Sequence, residues 1–267
     1  MTRCMKAILS ILLIFTVIFA YGSWFYHSPV QPTGASLEPP SAAHFLGTDN
    51  LGIDIFAQIS RGYFSSMGIG LAAAGLSFVI GGLAGVSAGY FGGRPDLCIG
   101  FCINLFLSVP QLPIMIVIGA FFGQSMINIV LIISLFSWAP IARIIRAKTM
   151  SLRHSGYVRM AQCYGGSFRY IFKQHLAKEI LPLLTINAIF VIGKAIVQEA
   201  SLAFLGLSDP INKSWGLMIN SAANFSGIYF TNYWTWWLLP PVVCLVMVIL
   251  CIRLIARDME QSMAKGG

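Results

Sequence analysis

The chain has 267 residues, of which 57% are hydrophobic and 10% charged, and its formal net charge is +8. Soluble domains carry about 25% charged residues, and a mean hydropathy of +0.78 implies more apolar surface than one water-soluble core can hide. This excludes a soluble enzyme or nucleic-acid-binding domain, and the length leaves no room for a soluble catalytic domain beside an integral membrane domain.

A helix needs about 20 apolar residues to cross about 30 Å of hydrocarbon. Lipid offers no partners to backbone polar groups, so the crossing segments are expected as helices. Long alternating strands of about ten residues are missing, which removes a barrel. The predicted fold is therefore all-α, with six transmembrane helices at roughly 7–26, 67–91, 97–123, 126–142, 180–206 and 235–257. The first follows Arg3 and Lys6, and Ala20-Tyr21-Gly22 loosely resembles a signal cleavage site. Its uncharged run from Ala7 to Tyr26 is longer than a signal core, so a retained helix is expected. Very short turns, Gly92 to Asp96 and Gly123 to Ser125, link the second, third and fourth spans.

With the N-terminus inside, fourteen of the 17 lysines and arginines fall in inner segments. Only Arg61 and Lys213 fall outside, and Lys194 lies within a span. This bias predicts two cytoplasmic termini and accounts for the net charge without nucleic acid. Residues 27–66 and 207–234 are then exterior. The second of these, punctuated by Asp209-Pro210, leads into Tyr229, Phe230, Tyr233, Trp234, Trp236 and Trp237, which read as an interfacial aromatic belt.

Small residues recur every fourth position in the second span: Ala73, Ser77, Gly81, Gly85, Gly89 and, at its end, Gly93. Such a stripe lets a neighbouring helix approach closely, whether from this chain or another. Gly68-Ile69-Gly70 is only a nominal dinucleotide-type match, because no strand precedes it. Lys194 and Glu199 are the ionisable residues well inside a late span, where an unpaired charge costs about 2.5 kcal/mol or more. Five residues apart, they are not one-turn partners. Each is a candidate for a translocation path, and for Glu199 a structural interhelical contact is the equal alternative. The six cysteines include no CxxC pair, and His27, His44, His154 and His175 fall on both sides of the membrane. No metal or catalytic constellation is predicted. Gly193-Lys194 lacks the pattern of a phosphate loop, so the chain is not expected to hydrolyse nucleotide.

Residues 143–179 hold eight basic residues and one acid. Tyr157 to Tyr164 and Ser167 to Leu176 can each form a short helix, with Gly165-Gly166 as the break. Their apolar residues Val158, Ala161, Ile171, Phe172 and Leu176 predict a surface that needs a partner. A knob of this kind can enter a groove and transmit force.

Here the chain resembles the permease subunits of bacterial ABC importers for dipeptides, oligopeptides and nickel. Tyr157, Val158, Ala161, Gly165, Ile171, His175 and Leu176 match that family's cytoplasmic motif. His44 to Asp54 resembles its block after the first span, and Glu199 to Leu207, then Trp215-Gly216, its block at the fifth. Trp138, Arg143 and Arg146 fit the approach to the loop. The order of blocks is similar to the C-type subunit.

The resemblance implies a type I importer, MetI-like fold. Residues 1–66 would form the first helix and extracytoplasmic segment, 67–257 the permease domain, and 258–267 a cytoplasmic tail. The implied partners are a B-type permease, two ABC ATPase subunits and an extracytoplasmic solute-binding protein, with membrane lipid around them. The loop would couple to the ATPases, which would hold ATP and magnesium, and no cofactor is implied for this chain. The location implied is the bacterial inner membrane, and the cargo a peptide or, given the short segment before the first span, nickel or a metal chelate. A secondary transporter or channel, the alternative, would leave the loop unexplained and calls for more intramembrane charge and internal repeats. Arg159, Met160, Ala177, Ile53 and Ser208 depart from the family pattern, and Arg159 would alter charge at the ATPase contact.

Overall fold

The computed structural model describes residues 3–209 and 212–266. Pro210 lies outside them, as do the side chains of Arg3, Cys4 and Lys265. Among the described residues the chain is helical, with one isolated bridge between Thr48 and Asp54. The helices are α1 (Arg3–Trp24), α2 (Ile55–Phe91), α3 (Gly93–Ser108), α4 (Gln111–Phe122) and α5 (Met126–Arg153). They continue as α6 (Gly156–Cys163), α7 (Phe168–Ile171), α8 (Ala177–Phe204), α9 (Trp215–Ala223) and α10 (Leu239–Gly266). Among the described residues five runs are long and apolar enough to cross a membrane, and counting the bent α3–α4 pair as one broken span gives six. The six-span, all-α reading therefore holds.

α2 begins at Ile55, well before the start at 67 read from hydropathy. Asp54 starts it: its extended backbone and its Oδ1, which accepts the Ala57 N–H at 2.9 Å, cap the helix. At about 1.5 Å per residue, 37 residues span about 55 Å, far more than about 30 Å of hydrocarbon. Its first turns therefore belong to the end that the sequence reading treated as loop. That reading missed them because Gln58, Ser60 and Arg61 lower the local hydropathy.

The third span is broken. Pro110 forces Val109 into extended backbone (φ −88°, ψ 133°), and α3 and α4 meet at 91°. The fourth span continues as α5 through 143–153, so the first third of the basic loop is helical extension.

α2 is the central helix, and its most extensive partner is α5. The small-residue stripe explains this. A Cβ on Gly81 would lie 2.8 Å from the Trp138 carbonyl oxygen, and one on Gly85 2.8 Å from that of Ala142. On Gly89 it would lie 2.7 Å from the Arg146 carbonyl oxygen. The stripe is thus used inside this chain. Side chains of α1 such as Leu13, Ile14 and Val17 remain exposed, as a lipid-facing helix requires. Thr16 and Tyr63 hydroxyls pair at 2.7 Å to tie α1 to α2.

Three apolar clusters follow α2 along its length. At its start, Ile55, Ile59 and Tyr63 pack with Phe19, Trp215 and Trp237. Ile69 and Ala73 meet Met115, Ile133 and Leu202. Towards its end, Val86 meets Ile145, Val158, Ile171 and Leu176. The aromatic belt is corrected in part by this arrangement. Trp237 is only 2% exposed, and Tyr233 and Trp236 pack against the same core. Tyr229, Phe230 and Trp234 keep the exposure an interface requires.

Candidate functional site

The segment after α5 turns at Ser155, runs through α6, and reverses at Gly165. Gly165 has φ +78°, a conformation that costs other residues about 1–2 kcal/mol, and a Cβ there would meet nothing within 4 Å. Ser167 then caps α7 through the Tyr170 N–H. α7 passes through a π-helical turn, Phe172–Leu176, directly into α8. The two short helices read from the sequence are thus present, but the second is continuous with the fifth span. α7, the π turn and α8 form one uninterrupted helical run from Phe168 to Phe204.

The π turn is closed by the Ala177 N–H, which donates to the Phe172 carbonyl oxygen. Proline, the residue expected here from the family pattern, has no N–H to make that bond. The departure at Ala177 is therefore matched to the local backbone.

The surface expected from Val158, Ala161, Ile171, Phe172 and Leu176 is not where the sequence reading put it. Val158, Ile171 and Leu176 are each 0% exposed, packed with Ile145, Leu152, Ile180 and Leu184. Ala161 and Phe172 are partly buried against the same cluster. These residues already have their partners within the chain, which is why an apolar pattern alone misled. The outward face carries Tyr157, Met160, Tyr164 and Tyr170, with Tyr164 85% exposed. Arg159 lies on this face and donates to His154 Nδ1 at 3.2 Å. His175 is half-buried between Tyr157 and Tyr170, with ring centroids 5.7 and 6.1 Å away. Phe168 anchors the knob on Tyr90 and Phe91 at the end of α2.

Lys194 and Glu199 occupy different environments. The Lys194 Nζ donates to Gln111 Oε1 at 2.7 Å, and Gln198 Nε2 donates to the same oxygen at 3.2 Å. Gln111 is the first residue of α4, so the break at Pro110 is what carries an amide to the depth of Lys194. A cleft of about 140 Å³, lined by Lys194 with Ser137, Pro140, Asn187 and Phe190, opens beside it. Hydropathy hid Gln111 because it was read as the middle of an unbroken span, and Pro110 was the available signal.

Glu199 is 0% exposed and accepts from Ser66 Oγ on α2 at 3.1 Å. It binds helix to helix, beside the place where Gly216 packs on Ala200 and the Trp215 Nε1 donates to the Ile59 carbonyl oxygen at 3.0 Å. Among the described residues no ion pair joins Lys194 to Glu199. Arg146 reaches instead to Asp96, making a two-pronged ion pair that fastens the start of α3 to α5.

At the opposite end of α2, His44 to Asp54 folds into a hydrogen-bonded cap. Asp49 Oδ1 accepts from the Leu51 and Ile53 N–H groups, and its Oδ2 from Gln58 Nε2 at 2.7 Å. His44 Nδ1 lies 2.8 Å from Asp54 Oδ2. Tyr26 donates to the Ala43 carbonyl oxygen at 2.7 Å, and burial raises its pKa. The sequence reading scattered the four histidines, but the fold brings His27 and His44 together, with ring centroids 5.1 Å apart.

Residues 78–265 match the family of binding-protein-dependent transport system inner membrane components. The chain is 30% identical to the probable D,D-dipeptide transport system permease protein DdpC of Escherichia coli, over 91% of this chain and 81% of that protein. It is 32% identical to the oligopeptide transport system permease protein OppC of Mycobacterium bovis, over 86% of this chain and 78% of that protein. In fold it resembles a chain of the MetNI methionine ABC transporter solved in inward-facing conformations. The TM-score there is 0.62 at 16% identity, covering 77% of this chain and 95% of that one.

Proposed function

This chain belongs to the family of binding-protein-dependent transport system inner membrane components, and from that membership we propose that it carries di- or oligopeptides as a permease subunit of an ATP-driven importer. The match over residues 78–265 carries the reading, because it takes in the basic knob and the span bearing Lys194. The peptide cargo is supported by the names of the DdpC and OppC relatives.

In this reading a second, B-type permease completes the path, two ATPase subunits bind ATP with magnesium, and a solute-binding protein delivers cargo. The chain itself performs no hydrolysis and needs no cofactor. Both termini face the cytoplasm of a bacterial inner membrane, as the distribution of lysine and arginine supports. The ATPases meet the outward face of α6 and α7, built from Tyr157, Met160, Tyr164 and Tyr170. Val158, Ala161, Gly165, Ile171 and Leu176 hold that face in place, with His175 between its tyrosines. Closure of the ATPases moves α7, and α8 carries the motion to the span, giving alternating access. Lys194 and Gln111 then line the path, and Glu199 is a structural tie.

The test is to identify what co-purifies from gently solubilised native membranes, and then to reconstitute that assembly in vesicles. Recovery of an ABC ATPase, a second permease and a binding protein, with ATP-dependent peptide uptake, is expected. Nickel or a chelate on the binding protein would replace the peptide cargo, and proton-driven uptake by the chain alone would replace the importer with a secondary transporter. Lys194→Met is expected to lower uptake about tenfold while assembly stays intact; loss of assembly instead would make Lys194 structural.

A further inference from the structure

The cap at the start of α2 contains more than a helix cap needs. Asp54 is 0% exposed and His44 5%, and they pair at 2.8 Å while Asp54 Oδ1 holds the Ala57 N–H. Those two residues complete the cap. His27, on the connection leaving α1, is not required for it, yet it stands against the pair. One donor atom each from His27, His44 and Asp54 lie within 4.8 Å of one another. His27 Nε2 is 3.1 Å from the Ala43 carbonyl oxygen, which leaves its Nδ1 available. Glu38 Oε2 lies 3.9 Å from His44 Nε2, placing a further carboxylate at the edge of the group.

We propose that His27, His44 and Asp54 form a binding site for a divalent transition metal, of which zinc is the type, at the end of α2 remote from the basic knob. Two imidazoles and one carboxylate are the donor set of zinc, nickel and copper; calcium and magnesium demand more oxygen. Tetrahedral bonds of about 2.0–2.2 Å set donors about 3.4 Å apart, so the half-buried His27 side chain swings inward while the 2.8 Å contact between His44 and Asp54 opens slightly. His44 and Asp54 are held by the packing around them. On binding at His44 Nδ1, the metal replaces the hydrogen bond to Asp54, and the remaining proton of the ring sits on Nε2, facing Glu38. The metal then ties the exit of α1 to the start of α2, with water completing its coordination and Glu38 an outer partner beside His44 Nε2. The buried pair supplies the preorganisation, and the third ligand closes the clasp.

The experiment uses the full chain, with whatever partners co-purify, carrying a tag without histidine and stripped of metal by chelation. Zinc is titrated against a chromogenic chelator, and the wild type is compared with His27→Ala. The wild type is expected to take up one more zinc per chain than the variant, or to bind it roughly tenfold or more tightly. The zinc absorption edge of the loaded wild type is expected to show imidazole scattering. Equal zinc uptake by the two proteins would overturn the site. A wild-type zinc spectrum lacking imidazole would overturn it independently, even if the variant proved unstable. His154→Ala, in the basic segment at the opposite end of α2, is expected to bind zinc as the wild type does.

Discussion

The two irregular segments at the ends of α2 solve opposite problems. Around 26–54 the chain folds back on itself to pair buried polar groups: Asp49 takes three donors, Asp54 takes a helix N-terminus and His44, and Thr48 Oγ1 bridges Glu38 N–H and Ala35 O. Around 154–176 the tyrosines and the charged groups point outward, and the apolar residues are satisfied by each other, by α5 and by α8. Both segments carry a block by which the chain resembles its family. In each, the recognisable residues are mostly those that build the shape. The residues a partner would meet at the knob, Met160 and Arg159, are among those that depart from the pattern. A motif here marks the scaffold and leaves the contact surface free to vary.

Four substitutions test that contrast, and the largest effect is expected between the segments, in the rod that joins them. Gly85→Leu places a side chain where a Cβ already lies 2.8 Å from Ala142 O and from Ile145 Cβ. Neither the backbone nor a β-branched Cβ can yield, so a loss of about 3 kcal/mol is expected. Gel filtration in detergent would show aggregation or loss of the folded species; a monodisperse, active variant would break the α2–α5 account.

Asp54→Ala removes the N-cap of a 37-residue helix and leaves the buried His44 nitrogen without its partner. Together these cost about 2–3 kcal/mol. Thermal unfolding in metal-free detergent solution is the measurement, and Asp54→Asn is expected to lose less because it keeps a cap acceptor. Equal losses would mean that the His44 contact, which needs the carboxylate charge, dominates over the cap.

Val158→Ala addresses the inner face of the knob. Val158 is 0% exposed among Ile145, Leu152 and Ile171, so removing two methyl groups leaves a cavity worth about 2 kcal/mol. The expected signature is a lowered unfolding temperature with a proportionate fall in uptake. A variant of unchanged stability would return Val158 to the exposed docking role that its apolar character first suggested.

What could be read from the sequence followed from how each signal arises. Hydropathy located the spans because length and apolarity are what a bilayer demands, and the fourfold spacing of Gly81, Gly85 and Gly89 announced a close helix contact. It did not say which helix, since spacing on one helix carries no information about its neighbour. The start of α2 escaped because Asp54 caps a helix that begins in polar sequence, where a hydropathy window sees a loop. The 91° break was written in Val109-Pro110, yet averaged away by the apolar residues on both sides. With the break hidden, the amide of Gln111 beside Lys194 was hidden too. The meeting of His27 with His44 depends on a return of the chain that no local pattern encodes.

The smallest stability effect is expected at the most exposed residue of the knob. Tyr164 is 85% exposed and follows α6 as its C-cap, so Tyr164→Ala is expected to change stability by less than about 0.5 kcal/mol. If the outward face is what the ATPases grip, the same substitution removes a large amphipathic side chain from the contact, and such residues carry a disproportionate share of interface energy. The expected result is an intact permease with an unchanged unfolding temperature and an uptake rate reduced severalfold. Val158→Ala and Tyr164→Ala, side by side, thus separate the two faces: one lowers stability first, the other only transport. Uptake that follows stability in both would place the ATPase contact elsewhere on the chain, and the outward tyrosines would then be surface without a partner.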